Sequence, residues 1–352
     1  MAKKLMKGNE AICEGALRGG CRAFFGYPIT PQNEIPEYMS REIYNYGGTF
    51  VQAESEVSAI NMVYGAAGAG ARAMTSSSSP GISLKQEGIS YIAGAEIPCV
   101  IVNIMRAGPG LGGIQPAQGD YFQTTKGGGH GDYRLFVYAP ATVQEAVDIM
   151  YDAFDKAEEY RMPIMILGDG MLGQMMEPVE LPEFKDMSKV PYKSWATQGD
   201  GKGRRVVNSL YINPDELEVV VDRMYDRYEI LKEKETRFES FMTDDAEIVF
   251  VAYGSTARIT KSAVLLLREK GIKAGIIRPI TLFPYPEKEI ERVAAQDCVK
   301  KFVTVELSKG QMVEDVRLAV NGKKPVEFYG RHGGNIMTEE DIVAFIMEGQ
   351  NG

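Results

Sequence analysis

The segment Gly26-Tyr-Pro-Ile-Thr-Pro31 combines a hydroxyl side chain with two prolines and a glycine, directly after a short apolar run. Proline fixes the backbone, so the chain would leave a strand here by a sharp and rigid path. Open α/β sheets bind ligands at the carboxyl ends of their strands, which predicts a binding segment. The alternative is a turn that begins a helix, with Thr30 as the N-cap and Pro31 at the first helical position.

Two carboxylates lie in the segment Ala53-Glu-Ser-Glu56, where a strand pattern gives way to a helix pattern. Carboxylates in a first helical turn normally interact favourably with the helix dipole, and this explains Glu56 taken alone. The helix behind it is unusual, because glycine and alanine fill positions 65–70 and each glycine costs about 1 kcal/mol relative to alanine. We expect such a helix to pack tightly against another backbone or another subunit.

Hydroxyl groups and an arginine follow two further strand patterns. Thr75, Ser76–Ser79 and Pro80-Gly81 predict a hydroxyl-rich loop at a strand end, and Arg106 precedes the glycine-rich stretch 108–113. That stretch is not a dinucleotide-binding motif, because the residues after it do not begin a helix. The sequence also lacks the P-loop motif that binds nucleotide phosphates.

The chain carries two histidines and four cysteines. No two cysteines form a Cys-x-x-Cys pair, which argues against zinc and iron–sulfur sites, and two histidines are too few for a histidine-rich metal site. His130, in the glycine-rich segment 127–131, is either a hydrogen-bonding loop residue or an active-site donor. We therefore expect no metal on this chain, and the electron carriers of any redox reaction to lie on other chains.

An alternation of strand and helix patterns must position these segments. The buried strands are predicted at 23–27, 49–52, 71–75, 99–104 and 163–167. Strands joined by helices imply a parallel sheet covered on both faces, and hence an α/β fold. The strongest helix pattern begins at Thr142, which forms a predicted capping box with Glu145.

A chain of 352 residues is too long for one compact core of ordinary size, so two domains are expected. The first α/β unit spans 1–185. Charged residues dominate 186–244, which we predict to be a linker with an exposed helix over 214–240. The second α/β unit spans 245–352.

The composition excludes two classes of partner. The 48 acidic and 39 basic residues give a net charge of −9, which argues against nucleic acids and anionic membrane surfaces. No apolar run reaches the roughly 20 residues of a membrane span. The first ten residues also lack the apolar segment of a signal peptide, so a cytoplasmic protein is expected.

Four of these segments together resemble the α-type subunit of the 2-oxoacid:ferredoxin oxidoreductases, and they occur in that family's order. They are Tyr-Pro-Ile-Thr-Pro at 27–31, Glu-Ser-Glu at 54–56, Ser-Ser-Pro-Gly at 78–81 and Arg-x-Gly-Pro-Gly at 106–110. The resemblance covers nearly the whole chain. Through the segments 118–123 and 127–133, the chain looks most like the branched-chain (2-oxoisovalerate) group.

The resemblance implies a fold and a set of partners. Residues 1–185 would form the pyrimidine-binding domain of a thiamine-diphosphate enzyme, and 245–352 a transketolase C-terminal-like domain. Gly168-Asp-Gly170 looks like the start of the motif that holds Mg²⁺ and the diphosphate, but the asparagine that completes it is missing around Trp195. The diphosphate domain and Mg²⁺ would therefore lie on a β subunit. Ferredoxin-like and γ-type subunits would hold the iron–sulfur clusters.

The resemblance also implies residue roles. It places the glutamate that contacts the aminopyrimidine at Glu56, or at Glu54 if the register differs by two. A carboxylate bonded to the ring nitrogen would stabilise the imino form of the cofactor's amino group, which then removes the thiazolium proton.

Thr30 and Arg106 match family positions that contact the substrate. The guanidinium of Arg106 suits the carboxylate of a 2-oxoacid, because the two groups form parallel hydrogen bonds. Pro28, Ile29 and Ser79 are expected beside the cofactor.

The activity implied is oxidative decarboxylation of branched-chain 2-oxoacids such as 3-methyl-2-oxobutanoate. The products would be acyl-coenzyme A and CO₂, with electrons passing to ferredoxin in anaerobic metabolism. 2-Oxoglutarate or pyruvate is the alternative substrate, since the motifs are common to all these enzymes. A non-catalytic scaffold subunit is an alternative of another class. The absent diphosphate motif favours it, and the presence of Glu56, Thr30 and Arg106 counts against it.

Overall fold

The computed structural model describes residues 3–349. The strands are β1 (Lys4–Lys7), β2 (Ala23–Gly26), β3 (Thr49–Gln52), β4 (Ala73–Ser77), β5 (Cys99–Met105), β6 (Phe136–Tyr138), β7 (Pro163–Asp169), β8 (Met176–Val179), β9 (Phe238–Phe241), β10 (Ile248–Val251), β11 (Ala274–Pro279), β12 (Thr281–Phe283), β13 (Lys301–Glu306) and β14 (Val326–Gly330). The helices are α1 (Gly8–Arg18), α2 (Glu34–Glu42), α3 (Glu56–Gly68), α4 (Ser79–Gly94), α5 (Tyr121–Thr125), α6 (Val143–Tyr160), α7 (Gly170–Gln174), α8 (Pro214–Glu235), α9 (Gly254–Glu269), α10 (Glu287–Ala294), α11 (Met312–Val320) and α12 (Glu339–Glu348).

A seven-stranded sheet, in the order β12-β6-β7-β5-β4-β2-β3, carries the first α/β unit. Its strands run parallel from β3 to β6, and β12 pairs antiparallel with β6. Strands β5 and β7 are buried at every residue, as expected for parallel strands with helices on both faces. The chain passes from β2 outward to β3 and then returns to the other side of β2 as β4. The crevice between β2 and β4 is therefore the switch point at which such sheets bind ligands.

A second sheet has the order β14-β13-β10-β11-β9. Only its edge strand β9 is antiparallel to its neighbour, β11. The helix predicted over 214–240 is present as α8, but it ends at Glu235 and buries one stripe that includes Val220, Met224 and Leu231. The prediction was wrong for 238–241, because Phe241 packs against the core of the second sheet and β9 pairs with β11.

Buried polar groups tie the two units together. The side chain of Gln118 donates to the carbonyl oxygen of Tyr253 at 2.9 Å and accepts from the amide of Leu307 at 3.0 Å. The hydroxyl of Ser255 donates to Asp169 at 2.8 Å. Strand β12, from the C-terminal part of the chain, also joins the first sheet. None of the helices within residues 3–349 is both long and apolar enough to cross a membrane.

The strands predicted in the first unit are confirmed as β2, β3, β4, β5 and β7. The capping box predicted at Thr142 is only half formed. Its hydroxyl accepts from the amide of Glu145 at 3.0 Å, whereas the carboxylate of Glu145 accepts from the amide of Ala141 at 2.7 Å and pairs with Arg278. Two segments at the ligand-binding edge also differ from the prediction.

The first is the turn at Thr30, which does not cap a helix. Residues 29–32 close a turn of their own, in which the amide of Gln32 donates to the carbonyl oxygen of Ile29 at 3.0 Å. Helix α2 therefore begins only at Glu34, with Asn33 before it. The hydroxyl of Thr30 accepts from the side chain of Asn33 at 3.3 Å instead of from a helical amide.

The second is the run of serines, which is not a loop. Strand β4 extends to Ser77, and α4 begins at Ser79 with a proline in its first turn. Within this run, the hydroxyls of Ser76 and Ser79 donate hydrogen bonds to other side chains. Ser76, for example, donates to the side chain of Gln32 at 2.5 Å. The serines thus continue a strand into a helix with one residue between them.

Candidate active site

The segments singled out in the sequence meet at one edge of the first sheet. Thr30 follows β2, Glu56 follows β3, Ser79 follows β4 and Arg106 follows β5. Because these strands are parallel neighbours, their carboxyl ends point the same way. The four side chains therefore surround the crevice in which a doubly wound sheet binds its ligand.

Arg106 is held against the turn that carries Thr30. Its side chain is buried, and its Nη1 donates to the carbonyl oxygen of Thr30 at 3.0 Å. Its Nη2 donates to the carbonyl oxygen of Leu111 at 3.0 Å, which folds the glycine-rich stretch back over the guanidinium. The buried Nε has no hydrogen-bond partner within residues 3–349. The Nε donor of this fixed guanidinium is thus left for an anionic ligand.

A polar network fixes the backbone around Arg106. The hydroxyl of Ser79 accepts from the amide of Arg106 at 3.0 Å and donates to Asp120 at 2.6 Å. Asn103 accepts from the amide of Ser79 at 3.1 Å and donates to Asp120 at 2.9 Å. Burial raises the pKa of Asp120, and these two hydrogen bonds oppose that rise. The network locks the ends of β4 and β5 together.

Asn103 and Asp120 were not predicted from the sequence as site residues. The sequence did contain a signal for Asn103, because it is the one residue with an amide side chain in the otherwise apolar strand β5. Asp120 had none, because it meets Asn103 only through the path of the loop between them.

Glu56 lies in the first turn of α3. The hydroxyl of Ser55 accepts from the amide of Ser58 at 3.2 Å and caps the helix, so Glu56 is not needed as a cap. The Glu56 side chain is only 6% exposed. Its carboxylate receives no hydrogen bond from any residue between 3 and 349. A buried carboxylate without a donor is costly, which separates Glu56 from a solvated dipole partner.

Glu54 lies outside this site. Its side chain is exposed, and its carboxylate accepts from the hydroxyl of Ser58 at 3.0 Å. Of the two registers considered for the glutamate, burial favours Glu56. Ile29 is half-buried on the same turn as Thr30, and Pro28, directly before that turn, is exposed.

His130 is not brought to this edge of the sheet. It is exposed, its carbonyl oxygen accepts from the hydroxyl of Ser90 at 2.7 Å, and its ring lies edge-on to Tyr91 at 6.2 Å. Ser90 follows Ser79 by eleven residues on α4, which places it about 16 Å farther along the helix.

Asp169, the acid of the Gly-Asp-Gly segment, is occupied by protein groups. It is buried and accepts from the amides of Met171 and Leu172 at 2.9 and 3.1 Å, which caps α7, and it also accepts from Ser255. Burial raises the pKa of Asp169, and these hydrogen bonds oppose the rise. Asp169 therefore caps a helix, and its hydrogen bond with Ser255 joins the two α/β units.

Comparison with known proteins places the chain among redox enzymes. Residues 14–239 match the family described as pyruvate flavodoxin/ferredoxin oxidoreductase, thiamine diP-bdg. Residues 246–342 match the family described as pyruvate:ferredoxin oxidoreductase core domain II.

Two relatives align over nearly their whole length. Ketoisovalerate oxidoreductase subunit VorB of Methanothermobacter thermautotrophicus is 50% identical, over 99% of this chain and 98% of the relative. 2-Oxoglutarate synthase subunit KorA of Methanothermobacter marburgensis is 36% identical, over 97% of this chain and 98% of the relative.

Among solved structures, 2-oxoglutarate:ferredoxin oxidoreductase from Magnetococcus marinus with 2-oxoglutarate, coenzyme A and succinyl-CoA bound matches with a TM-score of 0.89 at 27% identity. The match covers 99% of this chain and 65% of that chain. A split gene transketolase shares the fold alone, with a TM-score of 0.57 at 13% identity over 97% of this chain and 95% of that chain.

Proposed function

Because this chain belongs to the 2-oxoacid:ferredoxin oxidoreductases as an α-type subunit, we propose that it supplies the pyrimidine half of a thiamine-diphosphate site that decarboxylates branched-chain 2-oxoacids. The products are acyl-coenzyme A and CO₂, and ferredoxin accepts the electrons. The observation that carries the proposal is the buried carboxylate of Glu56, which has no hydrogen-bond donor within residues 3–349, at the sheet edge that also holds Arg106 and Thr30. The greater identity to a ketoisovalerate subunit than to a 2-oxoglutarate subunit supports the branched-chain substrate.

The residues around Glu56 fit an aminopyrimidine ring. A Cβ atom at position 81 would stand 2.7 Å from Oε1 of Glu56, so glycine keeps this space clear. The hydroxyls of Ser77 and Ser78 are buried and have no hydrogen-bond partner in the described part of the chain. Buried polar atoms of this kind call for a ligand that donates and accepts hydrogen bonds. The ring nitrogen and the amino group of the pyrimidine do both.

Thiamine diphosphate, when bound, would supply a carbon nucleophile for the keto group and would accept the electron pair that departing CO₂ leaves behind. Glu56 would hold a proton at the pyrimidine ring nitrogen through a hydrogen bond that its carboxylate accepts. In a buried site, one such charged contact is worth several kcal/mol, because the surrounding groups need no reorganisation.

Arg106 and Thr30 would bind and orient the substrate. The fixed guanidinium of Arg106 offers its free Nε to the 2-oxoacid carboxylate, and the half-buried hydroxyl of Thr30 lies on the same turn. The network of Ser79, Asn103 and Asp120 keeps the Arg106 backbone from shifting when the ligand binds. Orienting the substrate in this way removes much of the entropic barrier to its reaction.

Partner subunits complete the proposed enzyme. A β subunit would hold the diphosphate and Mg²⁺, and ferredoxin-like and γ-type subunits would hold iron–sulfur clusters. Helix α3 offers a surface for such a partner, since Val57, Met62 and Gly65 are exposed on it. A Cβ atom at position 65 would meet nothing within 4 Å, so a second backbone has room to approach there. The tight packing expected for this helix of small residues stays a prediction.

The test is a comparison of substrates on the native complex, isolated without oxygen. Viologen reduction is followed with thiamine diphosphate, Mg²⁺ and coenzyme A, using 2-oxoisovalerate, 2-oxoisocaproate, 2-oxoglutarate and pyruvate in turn. We expect the two branched acids to give the highest kcat/KM. A preference for 2-oxoglutarate or pyruvate would overturn the substrate assignment. If none of the four acids is oxidised although clusters and partner subunits are present, the alternative of a non-catalytic scaffold subunit is favoured.

A further inference from the structure

Lys85, on α4, is a buried lysine that the proposed reaction does not use. Its side chain is 0% exposed. Its ammonium donates a single hydrogen bond, to the hydroxyl of Thr75 at 2.9 Å, and forms no ion pair within 4.0 Å among residues 3–349. Lysine is almost never fully buried without a charged partner, because removing an ammonium group from water is expensive. The complete burial of Lys85 without an ion pair therefore calls for a functional explanation.

The packing of α3 against α4 shows where Lys85 enters. On α4, residues 81, 85 and 88 share one face, and on α3 residues 56 and 60 share one face. Gly81 lies against Glu56, and a Cβ atom at position 88 would stand 2.5 Å from Ile60. Along the two packed helices, the side chain of Lys85 therefore leaves α4 at a height between Glu56 and Ile60.

The partner hydroxyls on β4 extend the same cluster. Thr75 and Ser77 point to the same face of the sheet, because side chains alternate along a strand. Thr75 binds the ammonium of Lys85, and the hydroxyl of Ser77 lies next to Gly81 and Glu56. A carboxylate, two hydroxyls and an ammonium group thus line one buried region between α3, α4 and β4.

Lys85 and Glu56, at the two ends of this cluster, interact electrostatically. Burial lowers the pKa of Lys85 to about 8, and the negative charge of Glu56 is the one charge that opposes this fall. This is an attraction between opposite charges, so each of the two groups favours the charge of the other. At neutral pH the lysine is still largely charged and can act in this way.

We propose that Lys85 is a positioning residue whose ammonium group is the buried counter-ion that keeps Glu56 ionised beneath the aminopyrimidine. The inference rests on the proposed role of Glu56. An ionised carboxylate accepts the hydrogen bond of a protonated ring nitrogen, whereas a neutral carboxyl group does so poorly. Lys85 touches neither the substrate nor the cofactor, and it acts through Glu56.

The experiment uses Lys85→Met in the assembled complex, since methionine fills similar space without a charge. We expect kcat to fall at least tenfold near neutral pH and the acid limb of the kcat profile to move up by about one pH unit or more. The KM for the 2-oxoacid is expected to change little, because Arg106 and Thr30 are untouched. Lys270→Met, at an exposed lysine directly after α9, is the matched control and leaves both values unchanged. A lower kcat with an unmoved acid limb would overturn the proposal, because it would show a purely structural role.

A second measurement does not depend on activity. The melting temperature of the complex is compared for Lys85→Met, Glu56→Gln and the double variant. We expect the double variant to melt higher than additive effects predict, because neither change then leaves a lone buried charge. Additive effects would overturn the pairing of Lys85 with Glu56, whatever the comparison of the four 2-oxoacids shows. If Lys85→Met alone does not assemble, assembly of the double variant supports the pairing and its failure to assemble contradicts it.

Discussion

The backbone of Gly81 lies against the carboxylate of Glu56, so closely that a Cβ atom at position 81 would stand 2.7 Å from Oε1. Two helices that follow different strands, α3 and α4, meet at this point, where one contributes the acid and the other the space beside it. The missing side chain at position 81 is therefore part of the proposed cofactor site.

Gly81→Ala tests this contact. The added methyl group displaces Glu56 and the Ser77 hydroxyl, and overpacking of this kind costs about 1–3 kcal/mol. We expect the affinity for thiamine diphosphate, measured as the concentration giving half-maximal activity, to weaken by about tenfold or more. Gly94→Ala on the same helix is the control, because its Cβ would meet only Ser209 at 3.5 Å. Unchanged cofactor affinity in Gly81→Ala would refute the placement of the ring.

Arg106→Ala tests the proposed substrate contact. Hydrogen bonds to a charged group are worth about 1.5–3 kcal/mol each, so loss of the guanidinium should lower kcat/KM for the preferred 2-oxoacid by about 10- to 100-fold or more. Steady-state kinetics on the assembled complex measure this. Arg204→Ala, at an exposed arginine, should leave the value unchanged. If Arg106→Ala keeps the wild-type kcat/KM, the proposed contact of Arg106 with the substrate is wrong.

The pH dependence of stability tests the burial of Lys85. Its pKa in the folded protein is about 8, below the 10.5 of an exposed lysine, so the unfolded chain binds more protons between these values. The contribution of Lys85 to stability is therefore least favourable below about pH 8 and rises toward about pH 10. We expect the melting temperature of the wild type, relative to Lys85→Met, to rise across this window. Parallel curves for the two proteins would contradict the lowered pKa.

Much of the fold was predictable, because buried parallel strands leave a strong signal. The short apolar runs between helix patterns became β2, β3, β4, β5 and β7, and the family and the α/β fold class inferred from four ordered motifs are confirmed. The errors fell where local chemistry allows two outcomes. Thr30 and Pro31 suit a helix start as well as a closed turn, and the contact of Gln32 with Ile29 decides between them.

The parts of the site that escaped prediction depend on packing between distant segments. Asp120 meets Asn103 across 17 residues of chain, along a loop path that no pattern encodes. Lys85 is hidden for another reason. A lysine on a helix is normally exposed, yet here Leu84 is 54% exposed and Lys85 is buried. The small residues Gly81 and Gly88 bring α3 close, and this inverts the usual pattern on α4.

The measurement that tests the central claim most directly is turnover of Glu56→Gln beside Glu54→Gln in the assembled complex. The two glutamates stand two residues apart, one buried and one exposed. We predict that Glu56→Gln assembles normally and loses about 100- to 1,000-fold in kcat, as expected when a preorganised charged contact is removed, while Glu54→Gln stays near the wild type. Near wild-type turnover in Glu56→Gln would contradict the account, and so would a loss of that size in Glu54→Gln.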